Sequence, residues 1–251
     1  MMVIQNTNNM LKSISTKAPK GTDKEKIKKK TAELYLELEE LHKTMRAECK
    51  HSILLVFQGM DASGKDGSID KLYNGLYPMA ASVHAFKAPS EYEASKNYLW
   101  RIHNLAPSKG NIVIFNRSHY EDILVPTVNS YATPQEIKKR YKHINDFEEL
   151  LEDTNTHVIK LYLHISRNEQ TLRFNERLTI PEKKWKYSCN DLAVAESWDK
   201  YMDVYEDIFK ESKIKWDIIP ADNKWYRDYL VVSKMVSVLK KLKMEYPNTL
   251  K

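Results

Sequence analysis

A parallel α/β sheet of five strands, with helices on both faces, is the fold this sequence predicts. Three observations predict it. Five short apolar runs recur along the chain, over residues 53–57, 82–86, 112–115, 158–165 and 216–219. Stretches with helical patterning separate them, long enough to cross back over a sheet. The first run leads directly into a glycine-bracketed loop, residues 59–65, that opens a helix. Near-continuous apolar runs suit strands buried on both faces, as parallel strands are. In such sheets ligands bind beyond the carboxyl ends of the strands.

Taken in order, residues 1 to about 20 are polar and without periodicity, and are expected as a mobile tail. Residues 23–49 read as a long helix, because Leu34, Tyr35, Leu38, Leu41 and His42 mark an apolar stripe. The first strand follows, then the loop, then a helix over 68–76. Ser90 after Pro89 caps a helix over 91–105, and Thr133 before Pro134 caps another over 134–152. Helices over 190–212 and 225–244 flank the fifth run. Residues 21–251 are expected as a single domain. No internal repeat or low-complexity tract interrupts it.

The chain has 251 residues, of which 42% are apolar and 29% charged, a composition suited to a soluble α/β domain. No apolar run has the length needed to span a bilayer, and the first residues lack a signal-peptide pattern, so a cytoplasmic protein without a membrane partner is expected. Cys49 and Cys189 are expected to be reduced and structural. The formal charge of +6 favours a polyanionic partner without choosing among nucleotide, nucleic acid and phosphate chain. The basic tract over residues 24–30 reads as the solvated face of a helix, so no nucleic-acid partner is expected.

Three constellations carry chemistry. GMDASGKDG, residues 59–67, contains G-x-x-x-x-G-K, a phosphate-binding loop. Backbone N–H groups around Ala62, Ser63, Gly64, Lys65, Asp66 and Gly67 are expected to cradle phosphate, and Lys65 supplies a mobile point charge. Asp66 stands where Ser or Thr usually holds magnesium, and Asp61 is a carboxylate placed to take that task. The second constellation, FNRSHYED, ends the third run and delivers Asn116, Arg117, His119, Glu121 and Asp122 to the phosphate end of the sheet. Asn116 holds the place where an aspartate is usual, Arg117 can fork onto phosphate oxygens, and His119 reads as a packing or capping residue. The third follows the fourth run. Arg173 and Arg177 share a helix face, and Lys183, Lys184 and Lys186 come after, so residues 167–192 read as a basic lid that closes over phosphoryl groups.

Together, GMDASGKDG, FNRSHYED and the R-x-x-x-R…P-x-x-x-W-K-x-S-x-x-D segment resemble the polyphosphate kinase 2 family, over residues 25 to 245. The resemblance implies a P-loop kinase-like fold and transfer of a terminal phosphoryl between inorganic polyphosphate and a nucleotide. It also implies magnesium, with manganese as a substitute, and assembly as a homodimer or homotetramer. By resemblance, Asp61 and Lys65 act in the loop, Asn116, Arg117 and Glu121 in the second motif, and Arg173 and Arg177 in the lid. Asp61 and Glu121 are the expected metal ligands. Asn116, Arg117, Glu121, Arg177 and Asp191 are expected at the nucleotide, and Lys87, Arg173, Lys184 and Lys186 at the phosphate chain. The N-R-S-H-Y-E-D form resembles the subclass that acts on both nucleoside mono- and diphosphates, AMP and ADP or their guanine equivalents. Thr179 and Ile180 precede Pro181 where many members carry an acidic residue, which leaves the lid's hinge or a metal contact open. Two rival readings differ in donor or in chemistry: an ATP-dependent nucleoside or nucleotide kinase, and a non-catalytic polyanion-binding protein.

Overall fold

The computed structural model describes residues 10–187 and 195–248. Five strands form one parallel sheet: β1 (Ser52–Gln58), β2 (Ala81–Ala85), β3 (Ile112–Asn116), β4 (Thr156–His164) and β5 (Trp216–Pro220). Their spatial order is β2-β3-β1-β4-β5, which puts β1 in the middle, paired with β3 on one side and β4 on the other. All seven residues of β1 are buried. Their side chains alternate between the faces: Ile53, Leu55 and Phe57 join one apolar core, and Leu54 and Val56 join a second with Val113, Phe115 and Phe147.

Helices α1 (Met10–Ser13), α2 (Lys24–Glu48), α3 (Lys65–Tyr73), α4 (Glu91–Ala94), α5 (Trp100–His103), α6 (Glu121–Val128), α7 (Pro134–Asp153) and α8 (Arg167–Thr179) precede α9 (Trp198–Glu211) and α10 (Lys224–Lys241). Their ends follow local chemistry. Asp23 caps α2 by accepting from the amides of Glu25 and Lys26. Thr133 and Glu136 form a reciprocal capping box at α7, with Pro134 in its first turn. Ser166 caps α8.

The five strands lie where the apolar runs predict them, within two residues at each end. Four features differ. The helix expected over 91–105 is two short helices, because the Asn97 side chain accepts from the amide of Leu99 and diverts the backbone between them. Helix α3 starts at Lys65 rather than at 68, so its first turn is part of the phosphate loop. Helix α6 is additional to the expected elements: Pro126 sits inside its short apolar segment, and no side chain caps its start at Tyr120. Finally, residues 10–20 are not a loose tail. Leu11 is fully buried, Thr16 Oγ1 donates to Asp222 at 2.7 Å, and the amide of Ala18 donates to Asn223 at 2.9 Å. Leu11 with Met10 beside it, and polar contacts to Glu206, His164 and the loop after β5, hold this strap, and periodicity registers none of these. Residues 1–9 lie outside the described residues.

Candidate active site

A cleft of about 940 Å³ opens at the carboxyl ends of β1, β2 and β3. The loop from Gly59 to Lys65 forms its floor. Gly59 and Gly64 have φ of 149° and 95°, and Ala62 also adopts a positive φ, 62°. A Cβ on Gly59 would lie 2.8 Å from the Leu163 carbonyl oxygen, and one on Gly64 would lie 2.3 Å from Arg227 Nη1. Both positions therefore require glycine.

Lys65 folds back over this loop. Its Nζ donates to the carbonyls of Gly59 at 2.8 Å and Met60 at 3.3 Å, which leaves one of its three donors uncommitted. Burial pushes its pKa below the ordinary lysine value, against the pull of Asp61. Asp61 accepts from Arg117 Nη2 at 2.8 Å, and Gln170 Nε2 holds the Asp61 carbonyl at 2.9 Å. Burial works against ionisation of Asp61, but Lys65 and Arg117 outweigh it and keep the carboxyl below its ordinary range.

β3 delivers the second motif. The amide of Arg117 donates to the Phe57 carbonyl at 3.0 Å, which continues the β1–β3 pairing, and its φ of 63° turns the chain out of the sheet. Asn116 Nδ2 donates to Asp66 Oδ1 at 2.9 Å, and Lys186 Nζ lies 3.4 Å from Asp66 Oδ2. Burial is the largest influence on Asp66, yet Asn116 and Lys186 overcome it and hold the carboxyl below its ordinary range. Glu121 opens α6 and accepts from Gln58 Nε2 at 3.0 Å. His119 packs, as its residue type led one to expect: it is fully buried and its Nε2 lies 3.1 Å from Glu148. Beneath the motif, Lys160 Nζ binds Glu148 at 2.5 Å and Tyr120 Oη at 2.6 Å, all three side chains fully buried.

The expected site residues are thus largely brought together. Asp61 to Gly67, Lys87, Asn116, Arg117, Glu121, Arg173, Arg177 and Lys186 all line the cleft. Two expectations need correction. Arg173, expected at the phosphate chain, spends all five N–H groups on the protein: on Glu169, on the carbonyls of Ala62 and Ser63, and on those of Ala221 and Asp222. It clamps the loop through the carbonyls of Ala62 and Ser63. Lys184 is exposed and absent from the cleft wall, while Lys183 and Lys186 line it. The reason is local: Pro181–Lys186 is a 3₁₀ helix, in which residues three apart share a face. Asp191 lies outside the described residues, as does Cys189.

Some cleft residues were missed. Lys224 and Arg227 come from α10, and Tyr201 and Tyr205 from α9. Arg227 Nη1 donates to the Gly64 carbonyl at 3.2 Å while its Nε and Nη2 bind Asp228. No motif near these positions announces them; they reach the site only through the fold.

The site also fits a divalent cation that shares its coordination with a substrate. Asp61 and Glu121 each have one carboxylate oxygen engaged, by Arg117 and by Gln58. Among the described residues no three His, Cys, Asp or Glu side chains form a metal cluster. One or two carboxylates plus phosphate oxygens is the donor set that magnesium usually takes.

A central phosphate loop, a carboxylate pair and cations from six separate segments around one cleft define a phosphoryl-transfer protein of the P-loop kinase type. The model for the family Polyphosphate kinase 2 matches residues 21–247, and the chain belongs to that family. It is 45% identical over 213 residues to an AMP/ADP-polyphosphate phosphotransferase of Meiothermus ruber, covering 84% of this chain and 80% of the relative. It is 37% identical over 227 residues to an ADP-polyphosphate phosphotransferase of Rhodopseudomonas palustris, covering 84% and 78%. The crystal structure of Polyphosphate Kinase 2 from Arthrobacter aurescens TC1 superposes with a TM-score of 0.92 at 35% identity, over 96% of this chain and 88% of that one.

Proposed function

We propose that the protein moves the terminal phosphoryl of inorganic polyphosphate onto AMP and ADP, with magnesium. The observation that carries this reading is the convergence of Lys65, Arg117, Arg177, Lys183 and Lys186 around a single cleft that also holds Asp61 and Glu121. So many cations suit a ligand with a charge at every phosphorus. The AMP/ADP-polyphosphate phosphotransferase of Meiothermus ruber, at 45% identity, supports the choice of acceptors.

In the reaction a terminal phosphate oxygen of the nucleotide attacks the end phosphorus of the chain. The bridging P–O bond breaks, and the chain leaves one phosphate shorter. The transition state is loose, so the protein's task is positioning and charge neutralisation. Lys65 follows the moving group with its uncommitted donor. Arg117, held in place by Asp61, neutralises equatorial oxygens, and Arg177 closes from the lid side. Asp61 and Glu121 would hold magnesium, which when bound screens the repulsion between the two polyanions. The nucleotide's terminal phosphate is largely ionised near neutral pH, so no residue needs to serve as an obligatory base. Guanine nucleotides as acceptors, a cytoplasmic location and a dimeric or tetrameric assembly belong to the same reading.

The test is direct. The protein is incubated with polyphosphate and magnesium together with AMP, ADP or GDP, and the nucleotide products are separated. Formation of ADP and ATP without any other phosphoryl donor supports the reading. Transfer only from ATP would replace it with an ordinary nucleotide kinase, and binding without transfer would replace it with a polyanion-binding role.

A further inference from the structure

The net positive charge of this protein is concentrated in one short segment. Residues 17–30 hold seven lysines against Asp23 and Glu25, a local charge of +5 where the whole chain has +6. Every one of the seven is exposed. Asp23 is committed to capping α2, and Glu25 pairs with Lys28 at 2.9 Å. Among the described residues no carboxylate lies in ion-pair range of Lys17, Lys20, Lys24, Lys26 or Lys29.

The fold puts this segment at the rim of the cleft. Lys30 lies over the Tyr229 ring, at 5.5 Å, and Glu37 pairs with Lys240 at 2.5 Å. Helices α2 and α10 therefore run side by side in the same direction, and the first turns of α2 are level with the first turns of α10. Those first turns of α10 carry Lys224 and Arg227 into the cleft wall. The strap before α2 is fixed to the same end: Thr16 and Ala18 bind Asp222 and Asn223, the residues that immediately precede α10. Positive charge thus continues from Lys224 in the cleft wall to the lysines of the neighbouring strap and of the first turns of α2.

We propose that this segment is a distal track for the polyphosphate chain, engaging phosphates well beyond the one that is transferred. The inference rests on the polyphosphate reading above and extends it to chain-length preference. A flexible chain with one charge per unit suits unpaired, exposed ammonium groups, which need no fixed geometry to neutralise it. A short chain ends before it reaches the track. The track therefore favours long chains through KM and leaves the transfer step untouched.

The experiment compares wild type with Lys20→Ala/Lys24→Ala/Lys26→Ala/Lys29→Ala, and with the same four positions changed to Arg. Thermal unfolding checks that each folds. Donors are tetraphosphate and a chain of several hundred phosphates, with ADP as acceptor. In the alanine variant KM for the long chain is expected to rise on the order of tenfold, with kcat and the tetraphosphate constants unchanged. By analogy with single-stranded nucleic acid, the salt slope for the long chain falls by about three for four lost contacts. The arginine variant keeps wild-type behaviour. Equal changes for both donors, or for neither, overturn the proposal. So does a variant whose only loss is in binding to RNA or to anionic vesicles, which would assign the lysines to another partner. Absence of transfer from any polyphosphate in the wild type would instead refute the function proposed above.

Discussion

Arg173→Ala separates two uses of an arginine in this cleft. Arg173 is almost fully buried, and its five N–H groups meet Glu169 at 2.8 Å and the carbonyls of Ala62, Ser63, Ala221 and Asp222 at 2.7–3.4 Å. Truncation leaves those four carbonyls and one carboxylate without their partner. Glu169 is partly exposed, so the pair alone costs less than the roughly 3–5 kcal/mol of a fully buried one, and the stranded carbonyls make up the difference. With a urea slope of about 3 kcal/mol/M, a loss of about 4 kcal/mol lowers the unfolding midpoint by roughly 1.3 M. Arg173→Lys retains the charge but offers three donors from one nitrogen, so it is expected to recover only part of that loss. Urea unfolding followed by circular dichroism, run beside steady-state kinetics, reads both effects. An unchanged midpoint with a raised KM for polyphosphate would show that Arg173 is a phosphate ligand after all, and the clamp would be wrong.

Four further outcomes follow from the same geometry. Lys65→Ala should lower kcat by about a hundredfold or more, since a charge that acts in the transition state is worth on the order of 3 kcal/mol; near-wild-type turnover would remove the phosphate-loop assignment. Lys160→Met should destabilise by about 3–5 kcal/mol because it strands Glu148, while adding Glu148→Leu should restore much of the loss, as denaturant midpoints of the single and double variants will reveal. Asn116→Asp should place a second carboxylate against Asp66, now 2.9 Å from the Asn116 amide, and reduce AMP phosphorylation more than ADP phosphorylation; an unchanged ratio of the two specificity constants would reject this. For pH, the folded-state values of Asp61 and Asp66 lie below the ordinary 3.8, so the stability these groups contribute is fully present above that value. It is lost as pH falls through their depressed values, and an acid titration of unfolding free energy should show the loss below about pH 4, with Asp61→Asn shrinking it.

The sheet was legible because β-strand burial on both faces writes itself as apolar runs, and β1 to β5 coincide with those runs. The loop was legible because Gly59 and Gly64 are demanded by backbone geometry, which leaves a residue-level trace. What was not legible depends on contacts between distant segments. Arg173 and Arg177 look equivalent in sequence, four residues apart on one helix face. Both line the cleft, but the fold commits the N–H groups of the first to the carbonyls of Ala62 and Ser63 and of Ala221 and Asp222. Asp66 and Asn116 each looked like a departure from the usual pattern. In the structure they meet, so the carboxylate missing from the end of β3 is found one position after Lys65, with the amide in the other place. The strap at residues 10–20 was misread for the same reason: one buried leucine has no period.

Positive charge takes two kinds of position around this loop, and under the proposed function the difference accounts for how the loop would hold phosphate. A peptide's C=O and N–H point in opposite directions across its plane. Arg173 binds the carbonyls of Ala62 and Ser63, and Arg227 binds that of Gly64. With three successive carbonyls drawn outward, the paired N–H groups of Gly64 and Lys65 are directed to the other side of the loop. A guanidinium behind each carbonyl also polarises the peptide, which makes its N–H a stronger donor. These two arginines therefore need never touch a phosphate to matter for binding one. Arg117, by contrast, is fixed by a single bond to Asp61 and keeps its remaining donors for a ligand. Under the proposed function, Arg173 and Arg227 would shape the anion site and Arg117 would meet its ligand. A sequence pattern records the loop's glycines and lysine, but the arginines that orient its peptides lie more than a hundred residues away in the chain.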